Sequence, residues 1–412
     1  MRKTPKLLIL SSAAVLGLAG CSSGDGDPSG DGENDAAASE SPSQPTEQRS
    51  AQPRLVLTYD GGVTVLDALN LEKVADLPVD GFTRVNSAGD GRYVFVSTSD
   101  GFQLLDTGTW SEPHGDHSHH YTAEPELTDQ RFGGNKPGHV VVHDDRTALF
   151  SDGTGQVEIL DPAKLGTGDP LLEEFTVPAH HGVAVPRSDG SVIVSQGDTE
   201  TRSGVVIRDA QGKTVASNDE CPGLHGEAAA QGGAVTFGCE DGVLAVRGDE
   251  ITKVAAAEPY ARIGNQAGSD QSPVVLGDYK TDKGADLERP RRFSLTDTRS
   301  GTIKVVDIDT TYSFRSLGRG PAGEAIILGA DGALHVFDPE TGERKAHYPV
   351  IGAWTEPDEW QDAMPDLHVI GSTAYVTDPA TSRVLAVSLH DGKVLAEAPT
   401  GHPNLEMTGV DG

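Results

Sequence analysis

Cationic side chains are scarce in this sequence: 32 lysines and arginines stand against 63 aspartates and glutamates, for a formal net charge of −31. That deficit argues against a nucleic-acid partner, because neutralising phosphates takes clustered Lys and Arg. The acidic balance suits a soluble exported chain and favours cations. Aromatic residues make up 5%, which leaves few of the anchors that concentrate energy at protein interfaces. Sulfur is nearly absent, with three cysteines and three methionines, and this disfavours a soft copper(I) site. Helical periodicity is missing too. Beyond residue 54, short Val, Ile, Leu and Thr runs alternate with polar residues and are cut by Asp-Gly turns, an all-β pattern.

The N-terminus reads as an export segment. Arg2, Lys3 and Lys6 precede the apolar run Leu7 to Leu16, which is too short to span a bilayer, and Leu18-Ala19-Gly20-Cys21 follows. Small residues before a cysteine resemble the bacterial lipobox. The expectation is a signal peptide over 1–20, lipidation of Cys21, and anchoring to the outer face of the cytoplasmic membrane. Residues 21–53 are rich in Gly, Ser, Asp, Glu, Pro and Gln and predict a disordered acidic tether, since little apolar surface is there to offset ordering entropy. Residues 54–412 remain as one folded domain. With Cys21 assigned to lipid, Cys221 and Cys239 form an even pair in an oxidising compartment, which predicts a disulfide over two buried thiols.

The turns Asp60-Gly61, Asp100-Gly101, Asp152-Gly153, Asp241-Gly242 and Asp331-Gly332 each separate two short apolar runs. Many of the following runs end in an apolar residue and Asp, as in Leu66-Asp67, Leu105-Asp106, Leu160-Asp161, Val306-Asp307 and Phe337-Asp338. Such repetition is the signature of propeller blades. Hairpins fall near 54–67, 92–106, 146–161, 190–208, 233–247, 273–307, 325–338 and 373–389. The count predicts a single β-propeller of eight blades, with seven as the alternative. The first repeat lacks an innermost strand and 402–410 supplies a spare one, so the C-terminal strand should close the ring and remove its exposed edges. Two stretches break the rhythm: an insertion over 112–137, and a charged excursion over 279–292 that reads as a surface loop.

The first insertion holds His114, Asp116, His117, His119 and His120, with Glu124 close behind. Imidazole is the commonest nitrogen ligand of Zn²⁺ and carboxylate an acceptable oxygen ligand, so this loop is a candidate metal site. The bland alternative is a solvated polar loop. A second group recurs at one place in the repeat: His139, His181, His225 and His402 fit the start of innermost strands, where equivalent positions converge around the axis. One such histidine is more often a hydrogen-bonded channel residue; four predict a zinc site, with Glu227 and Asp144 as partners orienting the rings. A Cys221–Cys239 bridge would brace His225. His335, His347, His368 and His390 share no slot, and no role is assigned to them.

Taken together, the loop from His114 to His120 running on through Tyr121 and Ala123-Glu124-Pro125-Glu126-Leu127, the run His180-His181-Gly182-Val183, and Cys221-Pro222-Gly223-Leu224-His225-Gly226-Glu227 resemble the AztD-type zinc metallochaperones. The resemblance covers the whole mature domain. It implies a β-propeller that holds zinc outside the cytoplasm and delivers it to the solute-binding protein of a zinc ABC transporter, with the loop and channel histidines as ligands. A lipid anchor departs from that pattern, and would favour transfer between neighbours on one membrane face. Two other classes compete: a propeller enzyme with a catalytic metal, although no Gly-x-Ser-x-Gly elbow occurs in residues 54–412, and a metal-independent interaction scaffold.

Overall fold

The computed structural model describes residues 44–412. The expected signal peptide, Cys21 and most of the tether lie outside the described residues. Thr46–Gln48, within the segment read as tether, form a short strand that pairs antiparallel with His117–Thr122.

Eight four-stranded antiparallel sheets make up the described chain, together with one small three-stranded sheet and two 3-10 turns. We number the large sheets 1 to 8 in chain order. Each of the eight hairpins anticipated from the sequence supplies the second and third strands of a sheet, from Arg54–Tyr59 with Gly62–Asp67 in sheet 1 to Thr373–Asp378 with Arg383–Ser388 in sheet 8, and the one read over 273–307 also takes in the fourth strand of sheet 6, Thr302–Asp307. Those strands are buried nearly throughout, whereas the fourth strand alternates exposed and half-buried residues, as in Lys73–Pro78 and Val394–Pro399. The apolar runs and the polar outer strands therefore reflect two different environments for one antiparallel pattern.

Period-two alternation sends successive side chains to opposite faces. In sheet 1, Leu55 and Leu57 pack with Tyr375, Val384 and Ala386 of sheet 8, while Val56, Val63 and Val65 pack with Val94, Val96 and Leu105 of sheet 2. Further shared cores join sheets 2 and 3, sheets 3, 4 and 5, sheets 5 and 6, sheets 6 and 7, and sheets 7 and 8. The first strand of sheet 1 comes from the chain end: Met407–Val410 pairs with Arg54–Tyr59, Val410 opposite Arg54 and Met407 opposite Leu57. It begins at Met407, so His402, expected at its start, precedes it.

The segment 112–137 is not an irregular loop. Thr109–His114 and His117–Thr122 form a two-stranded hairpin, and Glu126–Phe132 returns as the fourth strand of sheet 2. The excursion over 279–292 does connect two strands of sheet 6, Val274–Asp278 and Arg292–Asp297. Cys221 and Cys239 are bonded, tying the entry of His225–Ala230 to the end of Ala234–Cys239 in sheet 5.

Candidate metal centre

Three sheets contribute one histidine each to a common point. His139 lies on the first strand of sheet 3, Pro137–His143; His181 stands just ahead of the first strand of sheet 4, Ala184–Pro186; His225 opens the first strand of sheet 5. Their ring centroids are 5.0, 5.1 and 5.9 Å apart, and one nitrogen from each lies within 4.8 Å of the others. The imidazoles line a cavity of about 410 Å³ whose wall also includes Arg84, Lys280 and Trp360.

Backbone irregularities aim these side chains. The register of His225–Ala230 against Ala234–Cys239 slips between His225 and Glu227, where Gly226 adopts φ +70°. Across that bulge His225 and Glu227 both border the site. A second slip lies between Pro137 and Val140, and Gly138 there leaves room for the Asp152 carboxylate, which an added Cβ would strike.

Hydrogen bonds set the tautomers. His181 Nδ1 is 2.6 Å from Asp152 Oδ2 and His225 Nδ1 is 2.7 Å from the Gly264 carbonyl, so each Nδ1 carries the proton and donates. His139 Nδ1 faces Glu227 Oε2 at 3.6 Å. The Nε2 lone pairs of His181 and His225 are thereby left for the cavity, the arrangement in which an outer partner orients a metal-binding ring. His139 Nε2 and His181 Nε2 sit 3.4 Å apart. A tetrahedral ion at ordinary zinc–nitrogen distances requires about 3.3–3.4 Å between donors, so this pair is already spaced for one. Two lone pairs facing at that distance repel unless a cation or proton lies between them.

Burial holds His139 well below the ordinary imidazole range, and the neighbouring His181 and His225 push it the same way. Burial also lowers His225 to about 3, against the opposing Gly264 hydrogen bond. Both rings are neutral near neutral pH, the form that binds metal. Glu227 is pushed up to about 7 by burial.

His402 does not join this group. It is exposed and stacks on Tyr59 with ring centroids 4.1 Å apart. Asp144, expected as an orienting partner, instead accepts hydrogen bonds from the Ser188 backbone and hydroxyl. Asp152 takes that place; the sequence displayed it only as half of an Asp-Gly turn, without a signal that its side chain turns inward. His180 is buried and satisfied by Ser195 and the Pro178 carbonyl.

The hairpin builds a second, exposed donor set. His114 pairs directly with His117 across a two-residue turn, and His119 follows His117 by two, so all three rise from one face with centroids 5.1–5.4 Å apart. Asp116 Oδ1 lies 3.2 Å from His117 Nδ1. His120 belongs to the opposite face, where its Nδ1 meets the Ser111 hydroxyl at 2.7 Å. Glu124 is exposed and falls outside the cluster. Glu47, in a segment read as tether, does reach it: its carboxylate is 2.7 Å from His119 Nδ1.

No protein-family model matches the chain. It is 28% identical over 363 residues to Zinc chaperone AztD of Citrobacter koseri, covering 85% of this chain and 84% of that protein. The crystal structure of Citrobacter koseri AztD superposes with a TM-score of 0.77 at 25% identity, over 88% of this chain and 99% of the other. The apo form of that protein superposes with a TM-score of 0.76 over 87% and 98%. Dihydro-heme d1 dehydrogenase NirN shares the fold alone, at 15% identity, a TM-score of 0.56 and coverage of 87% and 75%. The resemblance to the AztD-type zinc chaperones read from the histidine motifs thus extends, in sequence and in fold, through the described domain.

Proposed function

We propose that this chain is an extracytoplasmic zinc metallochaperone, which takes up Zn²⁺ on His139, His181 and His225 and passes it to the solute-binding protein of a zinc ABC transporter. The observation that carries this reading is the convergence of one nitrogen from each of three imidazoles, a group of three protein donors rather than four among the described residues. Structural zinc sites close all four positions with protein ligands. A three-donor site leaves one position at which a donor atom of the acceptor can enter, so the ion changes hands by stepwise ligand exchange. The exposed His114, His117 and His119 provide an earlier capture point on this reading. Similarity to a protein named as a zinc chaperone supports zinc as the cargo.

The eight sheets are read as blades of one β-propeller closed by Met407–Val410, with the three histidines at one mouth of its channel. The succession of shared cores, returning from sheet 8 to sheet 1, supports this. Export, and lipid anchoring through Cys21 on the outer membrane face, complete the proposal. They would confine the protein to the surface where such a transporter meets its substrate.

One observation favours a second reading. Three histidines with an open position beside Glu227, a carboxylate held near neutrality, also suit a zinc-bound water and its general base. Zinc-dependent turnover of esters, phosphates or lactones would promote it.

Metal content by mass spectrometry, after zinc loading and desalting, tests the proposal. The wild-type chain should retain zinc, and His139→Ala, His181→Ala and His225→Ala together should remove the buried equivalent. Incubation with an apo solute-binding protein should then move zinc from chaperone to acceptor. Equal retention by the variant overturns the triad as the site; retention without transfer overturns the chaperone role.

A further inference from the structure

Sheet 7 carries another gathering of donors, in residues for which the sequence suggested no role. His335 and His347 stand directly opposite each other in the register of Ala333–Phe337 and Arg344–Pro349, so both side chains rise from one face. Their rings are 4.7 Å apart at 71°. Asp331, from the turn leading into the first of these strands, reaches between them: His335 Nε2 is 3.1 Å from both carboxylate oxygens, and His347 Nε2 is 3.5 Å from Oδ2.

The chemistry of this trio is that of a metal pocket. Burial keeps His335 below the ordinary imidazole range and hence neutral, although Asp331 acts in the other direction. Burial is the largest single influence on the Asp331 carboxyl and raises it, but the hydrogen bond and charge of His335, with the Ala333 N–H and His347, together hold it below the usual carboxylate range. His335 is 1% exposed, while the side chains of Asp331 and His347 are 38% and 45% exposed. The base is therefore held by the core and the mouth is open to solvent. Donor separations near 3.3 Å suit a tetrahedral divalent ion; the Asp331 carboxylate already stands 3.1 and 3.5 Å from the two ring nitrogens, and the three ligand atoms lie within 4.8 Å of one another.

We propose that Asp331, His335 and His347 form a further divalent transition-metal site, built from two imidazoles and one carboxylate, separate in the fold from the His139 triad. Two nitrogens and an oxygen suit zinc, cobalt or nickel rather than soft copper(I), and leave positions for water or an incoming ligand. Arg344 tunes it. Its guanidinium lies 3.5 Å from His335 Nδ1 and 3.1 Å from Asp309 Oδ2. To ligate through Nε2, His335 must carry its proton on Nδ1, facing that cation. Arg344 then has to turn towards Asp309, which makes the site weaker than its donors alone would be. This inference goes beyond the chaperone reading and does not depend on it.

Cobalt(II) alone is the probe, since its visible absorption reports nitrogen and oxygen ligation. In the full chain with His114, His117, His119, His139, His181 and His225 changed to alanine, one equivalent should bind. Adding Asp331→Asn and His347→Ala should abolish the band and weaken binding by roughly tenfold or more, whereas adding Arg344→Gln should tighten it. The same Asp331→Asn and His347→Ala pair, placed in the otherwise wild-type chain, should lower zinc stoichiometry by one, which covers the case in which the six-histidine variant fails to fold. Unchanged stoichiometry and an unchanged cobalt spectrum would overturn the site.

Discussion

Replacing Asp152 by alanine should weaken zinc binding at the triad of His139, His181 and His225 without touching a ligand. Of the triad, His181 is the ring most dependent on an outer partner: its side chain is 38% exposed, against 21% for His139, and the Asp152 carboxylate 2.6 Å from Nδ1 holds its orientation. That carboxylate also fixes the tautomer, leaving the Nε2 lone pair free. Loss of such a partner ordinarily costs 10–100-fold in metal affinity, about 1.4–2.7 kcal/mol. Asp152→Asn should fall between wild type and alanine, because an amide oxygen still accepts from Nδ1 but without the charge. The Gly182 N–H, 3.3 Å from Asp152 Oδ1, loses its acceptor in the alanine variant, a stability cost of roughly 1–3 kcal/mol that the apo protein bears as well. Zinc competition against a chromogenic chelator measures the affinity, and urea unfolding of the apo forms measures the stability term separately. A zinc affinity for Asp152→Ala within about twofold of wild type, with normal folding, would refute the idea that this contact prepares His181.

Three further outcomes are expected. Changing Cys221 and Cys239 to serine opens a bridge spanning 18 residues; the chain-entropy model puts the loss near 3 kcal/mol, readable as a lower urea midpoint of the apo protein. Gly226→Ala forces a side chain into φ +70° against the Gly264 carbonyl, so zinc affinity should fall as the bulge that positions His225 and Glu227 is strained, which chelator competition would detect. Asp366 is pushed up to about 7 by burial, with Glu406 adding to the effect and Arg315 opposing it. A raised carboxyl stabilises the fold fully below its unfolded value and loses that contribution as pH rises through the folded one. Asp366→Asn, whose amide oxygen can still accept from the Met407 N–H, should therefore be more stable than wild type at about pH 8, by up to the order of 4 kcal/mol. The advantage should shrink towards about pH 4, and urea unfolding at both pH values would expose a gap that fails to close.

The strands were legible because burial on both faces and a polar outer edge impose different, local patterns on short segments. Val63-Thr64-Val65 and its counterparts, each beside an Asp-Gly turn, report their hairpins without reference to the rest of the chain. The disulfide was legible from parity. His139, His181 and His225 were legible because a repeat places equivalent residues at equivalent positions, so sequence slot stands in for spatial proximity. His402 shared that slot in appearance only. The closing strand begins five residues later, at Met407, and a stacking partner, Tyr59, was available nearby in space.

The sequence by itself determined the all-β class, the eight hairpins, the Cys221–Cys239 pairing and the shared slot of His139, His181 and His225, since each depends on residue type and short-range periodicity. Tertiary structure decided which donors meet. Asp152 reaches His181 from a neighbouring sheet, Glu47 reaches His119 across 72 residues, and Asp331, His335 and His347 converge only because strand register sets His335 opposite His347. It also set protonation, for the neutral rings of His139 and His225 and the raised carboxyl of Glu227 all result from burial. Register and burial are properties of pairs and surroundings, and a list of residues in chain order does not contain them.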